Sequence, residues 1–284
     1  MLDPEPSGTF ERPVEEVPRA LSSMTSDQVA SQIASLDKPE TPPVIESFPS
    51  GLVHLPGGFI SKTGVVKTAR VRELDGFAEE KLSRIDIDKN SAIWITELLF
   101  LGVELLGDEK PTREMLGDLL IGDRDALLLG IRQTTYGNTV EFKLTCTECG
   151  QESDIGVEID KDVPVVEIED PMVRTFDVPI KRGTATVQLL TGNIQEAYSE
   201  NIEKKTQAEV TTIMLSRSVI KINGEPTFNN ENAVRALSVV DRAALGEFIA
   251  THQPGPKYGE IRVPCATCGT EYPILLGLGN LFRL

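Results

Sequence analysis

The sequence predicts an α+β fold of two pseudo-repeated halves, each built of helices and short strands and joined through a four-cysteine site. Three observations predict it. All four cysteines fall in two copies of one motif, Cys146-Thr-Glu-Cys149-Gly150 and Cys265-Ala-Thr-Cys268-Gly269. Three motifs recur in the same order at nearly constant offset. Helical patterns are segregated from short strand-like runs that break at Gly- and Pro-rich turns, as α+β domains require.

The recurrence is specific. Val71-Arg-Glu-Leu-Asp-Gly76 aligns with Val187-Gln-Leu-Leu-Thr-Gly192, 116 residues later. Asp123-Arg124 aligns with Asp241-Arg242 at 118, and the cysteine motifs align at 119. Each motif is common alone, but three in order at one spacing point to an internal duplication.

Taken from the N-terminus, residues 1–50 hold eight of the eighteen prolines, an acidic excess and only two aromatics, Phe10 and Phe48. Such a segment buries too little apolar surface to offset its chain entropy and is expected to be disordered. Within it, Val29, Ile33 and Leu36 fall at helical spacing behind a Ser/Asp cap signal; a solvated linker with a transient helix is the reading favoured there, over a short helix that docks on a partner.

The first half spans 51–165. Strand patterns run through Val65-Val66 and Ala69-Arg-Val71, and helices are expected at 77–85, 91–106, 112–120 and 123–134. The apolar run from Ile93 to Leu106 contains Glu97 and Glu104 and is shorter than the roughly 20 residues of a membrane span, so it reads as a buried helix. The second half spans 166–284, with β runs at 173–178 and 184–189 and helices at 193–204, 207–218, 230–236 and 239–250. Asp123 and Asp241 are expected as helix N-caps, with Arg124 and Arg242 bridging to a carboxylate or carbonyl, or else contacting a partner subunit. The chain end, with Leu278, Leu281, Phe282 and Leu284, fits two roles equally: an anchor on a neighbouring subunit, or a cap on its own core.

The cysteine motifs carry the chemistry. A two-residue gap lets both thiolates of a knuckle reach one metal, and the glycine after it tolerates the left-handed backbone that turns amides toward sulfur. Two knuckles complete the four-sulfur shell of a structural Zn2+ site with ligands Cys146, Cys149, Cys265 and Cys268. The fold class is then α+β, two halves joined by a four-cysteine zinc ribbon. The rivals are a redox dithiol, which usually sits at a helix N-terminus, and disulfides. Here the knuckles lie between strand-like runs. No signal peptide is legible, so a reducing compartment is expected, where this spacing favours metal.

Composition excludes other classes. Net charge is −16, from 44 acidic and 28 basic residues, and aromatics are 5%. Neither suits a phosphate-binding surface or a base-stacking platform, so direct nucleic-acid binding is not expected. Gly58-Phe-Ile-Ser-Lys-Thr-Gly64 has the wrong spacing for a phosphate loop. His54 and His252 belong to no metal-ligand pattern, and with the four thiols on one metal no cysteine nucleophile remains. No catalytic residues are expected.

Residues 119–137, Leu-Leu-Ile-Gly-Asp-Arg-Asp-Ala-Leu-Leu-Leu-Gly-Ile-Arg-Gln-Thr-Thr-Tyr-Gly, followed by the first knuckle, resemble the bacteriophage baseplate hub and tail-assembly proteins of the T-even myophage type. Val71–Gly76 fits the same pattern, and the resemblance runs over about 55–284. It implies a non-enzymatic protein of a phage tail baseplate or hub, or of a phage-derived contractile injection particle. Its implied partners are other tail, baseplate and hub proteins, in a symmetric assembly that allows a homo-oligomer, with no membrane. Its implied place is the virion tail, or the host bacterial cytoplasm during assembly. A tail-assembly chaperone absent from the particle, and a zinc-ribbon adaptor in nucleic-acid metabolism, remain as alternatives.

Overall fold

The computed structural model describes residues 51–282. The expectations for residues 1–50, and for Leu284, lie outside them. Strand β1 (Gly51–Ser61) folds back onto β2 (Gly64–Val71), and the Ser61 hydroxyl ties the turn by donating to the Gly64 carbonyl at 2.8 Å. Pairing is irregular between His54 and Phe59, and the intervening residues Leu55–Gly58 are buried. Helices α1 (Gly76–Leu82) and α2 (Ile87–Gly102) follow. Their orphan amides are met by carboxylates: Asp75 accepts from Ala78 N at 2.9 Å and Asp86 from Lys89 N at 3.3 Å.

The helix expected over 91–106 ends at Gly102, and Val103–Leu106 is strand β3, which completes an antiparallel sheet of order β1-β2-β3. An apolar run alone does not distinguish a buried helix from a buried strand. The free edge of β2 decides here, because its backbone groups need partners and β3 supplies them. Gly102 marks the break: a Cβ there would stand 2.5 Å from Ile131 Cδ1.

Next come α3 (Arg113–Asp118), α4 (Ile121–Tyr136), hairpin β4 (Thr139–Thr145) with β5 (Glu152–Glu158), α5 (Ile159–Asp162) and β6 (Val165–Val166). Hairpin β7 (Thr175–Ile180) with β8 (Gly183–Gln188) opens the remainder. It is followed by α6 (Gly192–Ser199), α7 (Gln207–Ser218), β9 (Val219–Ile222), β10 (Glu225–Pro226), α8 (Glu231–Arg235) and α9 (Val239–His252). Strands β7 to β10 form a second sheet of order β10-β9-β8-β7. The single helix expected over 193–204 is α6 plus a separate 3-10 turn, divided at Asn201, whose φ of 49° lies in the left-handed region. The chain ends with β11 (Gly255–Pro256), hairpin β12 (Arg262–Pro264) with β13 (Glu271–Pro273), and α10 (Leu278–Phe282).

One apolar core lies around the first sheet, with Leu55, Val71, Trp94, Leu98, Leu127 and Ile131 fully buried. A smaller one lies around the second sheet, with Ala185, Val187, Leu215, Val219 and Leu245. The chain end resolves its two expected roles in favour of the cap. Leu281 and Phe282 are buried in the first core, where Phe282 meets Trp94 edge-on at 5.6 Å between centroids and Tyr136 at 6.4 Å. No helix among the described residues is long and apolar enough to cross a membrane.

Asp123 and Asp241 are not N-caps. Leu120 and Ser238 hold those positions, and each Asp lies three residues further on, inside the first turn. Their carboxylates face the sheets instead. Asp123 Oδ1 accepts from the Gly57 and Gly58 amides at 2.7 and 3.2 Å, and Asp241 Oδ1 accepts from Lys181 N at 3.0 Å. The arginines do bridge to carbonyls. Arg124 donates to Leu116 O at 2.9 Å and to Thr96 Oγ1 at 2.7 Å, and Arg242 donates to Ala208 O at 3.0 Å and Thr212 Oγ1 at 2.7 Å.

Candidate metal centre

Two hairpins position the thiols. In the first, Thr145 pairs with Glu152, leaving Cys146–Gln151 as the connecting turn. Cys146 N donates to Gln151 O and Gly150 N to Cys146 O, both at 2.9 Å. In the second, Pro264 pairs with Glu271, Cys265 N donates to Thr270 O at 2.8 Å and Gly269 N to Cys265 O at 2.9 Å. Gly150 and Gly269 have φ of 71° and 75°, a conformation that a side chain strongly disfavours. The two turns therefore share one backbone design, and the motif glycine is what permits it.

The structure brings all four predicted cysteines together. Their sulfurs lie within 4.8 Å of one another, with Cys146 to Cys268 at 3.6 Å and Cys149 to Cys265 at 3.9 Å. A disulfide needs about 2.05 Å, and all four are free thiols. A tetrahedral metal with M–S of about 2.3 Å sets sulfur–sulfur edges of about 3.8 Å, so the spacing is compatible with a metal ion. Cys146 and Cys265 are buried and Cys149 and Cys268 are exposed, each knuckle contributing one of each kind.

Electrostatics point the same way. Interaction with the Tyr272 side chain lowers both buried thiols, Cys265 to about 6 with help from the Cys268 and Thr267 amides. The Tyr272 hydroxyl is raised in return. Cys149 is different: the Gln151 amide favours its thiolate, but the sulfurs of Cys146, Cys268 and Cys265, together with desolvation, push it up to about 12. Four adjacent thiols resist full ionisation because their charges repel, and a cation in their midst reverses that. Sequence alone does not single out Tyr272, since one tyrosine in a strand carries no spacing signal. His54 and His252 stand apart from the thiols: His54 pairs with Glu167 at 3.4 Å, and His252 stacks on Phe248 at 3.8 Å.

Residues 104–283 match the family model described as T4 bacteriophage base plate protein, a stretch that includes both hairpins and all four cysteines. No curated protein and no solved structure matches the chain.

Proposed function

The chain belongs to the T4 bacteriophage base plate protein family, and from that membership we propose that it is a non-enzymatic structural or assembly component of a phage tail baseplate or hub, held in one piece by a structural zinc. Family membership implies contacts with other phage tail proteins and work at the virion tail. The observation that carries the structural part is the four-thiol cluster. Its ligands come from residues 119 apart in the chain, Cys146 and Cys265, so one Zn2+ bound by Cys146, Cys149, Cys265 and Cys268 ties mid-chain to chain end. An injection machine under mechanical load gains from such a staple.

We further propose that residues 51–165 and 166–284 are duplicated halves, following an N-terminal segment of residues 1–50. Support comes from register. Ala69 pairs with Leu106 and Val71 with Val103 across one irregularity, as Ala185 pairs with Ile222 and Val187 with Val219. All four positions shift by 116. Arg124 Nη2 reaches Ala92 O and Thr96 Oγ1, as Arg242 Nη2 reaches Ala208 O and Thr212 Oγ1. Leu74 N donates to Thr135 Oγ1 as Leu190 N donates to Gln253 Oε1.

In a producing strain, deleting the gene should leave tails unassembled, and mass spectrometry should find the chain stoichiometrically in purified particles. Normal particles without the chain would contradict the proposal. Failed assembly with the chain absent from wild-type particles would select the chaperone role.

A further inference from the structure

The two halves meet through a head-to-tail contact that leaves its complementary surfaces open at either end. In the chain, the segment entering α4 pairs with the segment entering α6. Ile121 N donates to Leu190 O and Gly192 N to Leu119 O, both at 3.0 Å, around a bridge between Leu120 and Thr191. Beside it, Asn193 Nδ2 donates to Asp118 Oδ1 at 2.8 Å and the Thr96 hydroxyl donates to Glu196. Gly192 is required by this approach, since a Cβ would lie 2.2 Å from Arg124 Nη1. Covered in this way, Arg124 is fully buried.

Under the duplication proposed above, on which this inference rests, the counterpart of Leu190–Gly192 is Leu74–Gly76, and that of Leu119–Ile121 is Leu237–Val239. A twofold arrangement would pair these two segments with each other inside the chain. They are not paired. Among the described residues, Leu74 O, Gly76 N, Leu237 O and Val239 N make no hydrogen bond, although their counterparts all do. The side chains there are uncovered as well: Phe77 is 81% exposed, Val239 82% and Val240 61%. Arg242, unlike Arg124, is half-buried. Gly76 has an ordinary φ, and a Cβ at that position would meet nothing within 4 Å, so no feature of its own chain calls for glycine.

We infer that the open ends fit each other between molecules: Leu74–Phe77 of one copy docks on Leu237–Arg242 of a second copy. Gly76 then stands against Arg242 of the neighbour as Gly192 stands against Arg124, and Glu80 takes the place of Glu196 toward Thr212. The contact departs from its template at one point. Val240 replaces Gly122, whose Cβ would meet Pro254 O at 1.7 Å, so the neighbour's Tyr136–Gly137 lies further out and packs on the valine side chain. A head-to-tail contact does not exhaust itself in a dimer, and it builds a ring or an open chain of copies. With a net charge of −16 on each copy, added salt strengthens the association by screening.

The test uses the full zinc-loaded chain in sedimentation velocity over a concentration series, at low and moderate salt. Wild type is expected to form species larger than a dimer, more so with salt. Gly76→Arg, introduced into open space, and Val239→Glu, on an exposed side chain, should each give monomers with unchanged melting temperature. Mixed together they should form a 1:1 dimer that stops there, because each variant keeps one intact end. A wild type monomeric throughout overturns the inference, as do oligomers that survive both variants, or capture of a different tail protein by the same face. The duplication is read separately, from a crystal structure of the monomeric Gly76→Arg variant: Asp123 should superpose on Asp241 together with Cys146 on Cys265 whether or not wild-type copies associate, and different relations of the two Asp-Arg helices to their knuckles would refute the duplication itself.

Discussion

Asp125 and the arginine beside it share a helix turn but differ in what burial does to them. Burial pushes the Asp125 carboxyl up to about 7, against the opposing pull of the Arg124 charge, and Tyr198 and Tyr258 feel the same carboxylate. The folded pKa lies above the ordinary value of 3.8, so the folded state holds this proton more tightly than the unfolded chain. That contribution is complete below about pH 4 and is lost as pH rises through about 7. Asp125→Asn, neutral throughout, should gain on wild type by roughly 1–2 kcal/mol more at pH 8 than at pH 5 in urea melts, a value discounted for the partial exposure of the side chain. An equal difference at both pH values would clear the carboxylate of that role. Among single residues, the four thiols are legible in the sequence because spacing alone specifies a knuckle. The roles of Asp123 and Asp241 are not. Their position three residues inside the helix and their long-range bonds to Gly57, Gly58 and Lys181 depend on where each sheet lies, which local capping rules do not encode.

Helices at 207–218 and 239–252 are legible almost to the residue from their apolar spacing, although the caps themselves, Thr206 and Ser238, whose side chains accept from the Glu209 and Asp241 amides, are not among the expected ones. Strands β3 and β9 are hidden, each being four residues joined without a loop to the end of a helix. Only the free edge of the preceding hairpin distinguishes them from one more helical turn. The last element, α10, shows how an apolar chain end can serve the fold. Phe282 closes the first core between Trp94 and Tyr136, more than a hundred residues away in sequence. Phe282→Ala should cost about 3–5 kcal/mol and lower the melting temperature of the isolated chain. A variant as stable as wild type would return the tail to the role of an external anchor.

Across the whole molecule, the first core draws on both ends of the described chain. Leu55 enters from β1 while Ile261, Ile274 and Leu276 enter from around the second knuckle. A metal held by both hairpins would make this union conditional on the ion. The resemblance of residues 119–150 to tail proteins is legible because an Asp-Arg pair and a knuckle follow one another in the chain, and the family match over 104–283 includes them. The docking ends proposed above are not legible. Exposure of Phe77 and Val239, and the lack of any neighbour at Gly76, depend on how the elements pack and carry no local sequence signal.

Whether one zinc couples the two hairpins can be read from elemental analysis of the chain purified from bacterial cytoplasm without chelator. One zinc per chain is expected. Cys265→Ser should lose the ion and show faster amide exchange in strands β4 and β5 of the first hairpin, more than a hundred residues away in sequence. Native protein without zinc, or with Cys146 and Cys149 joined in a disulfide, would contradict the coupling.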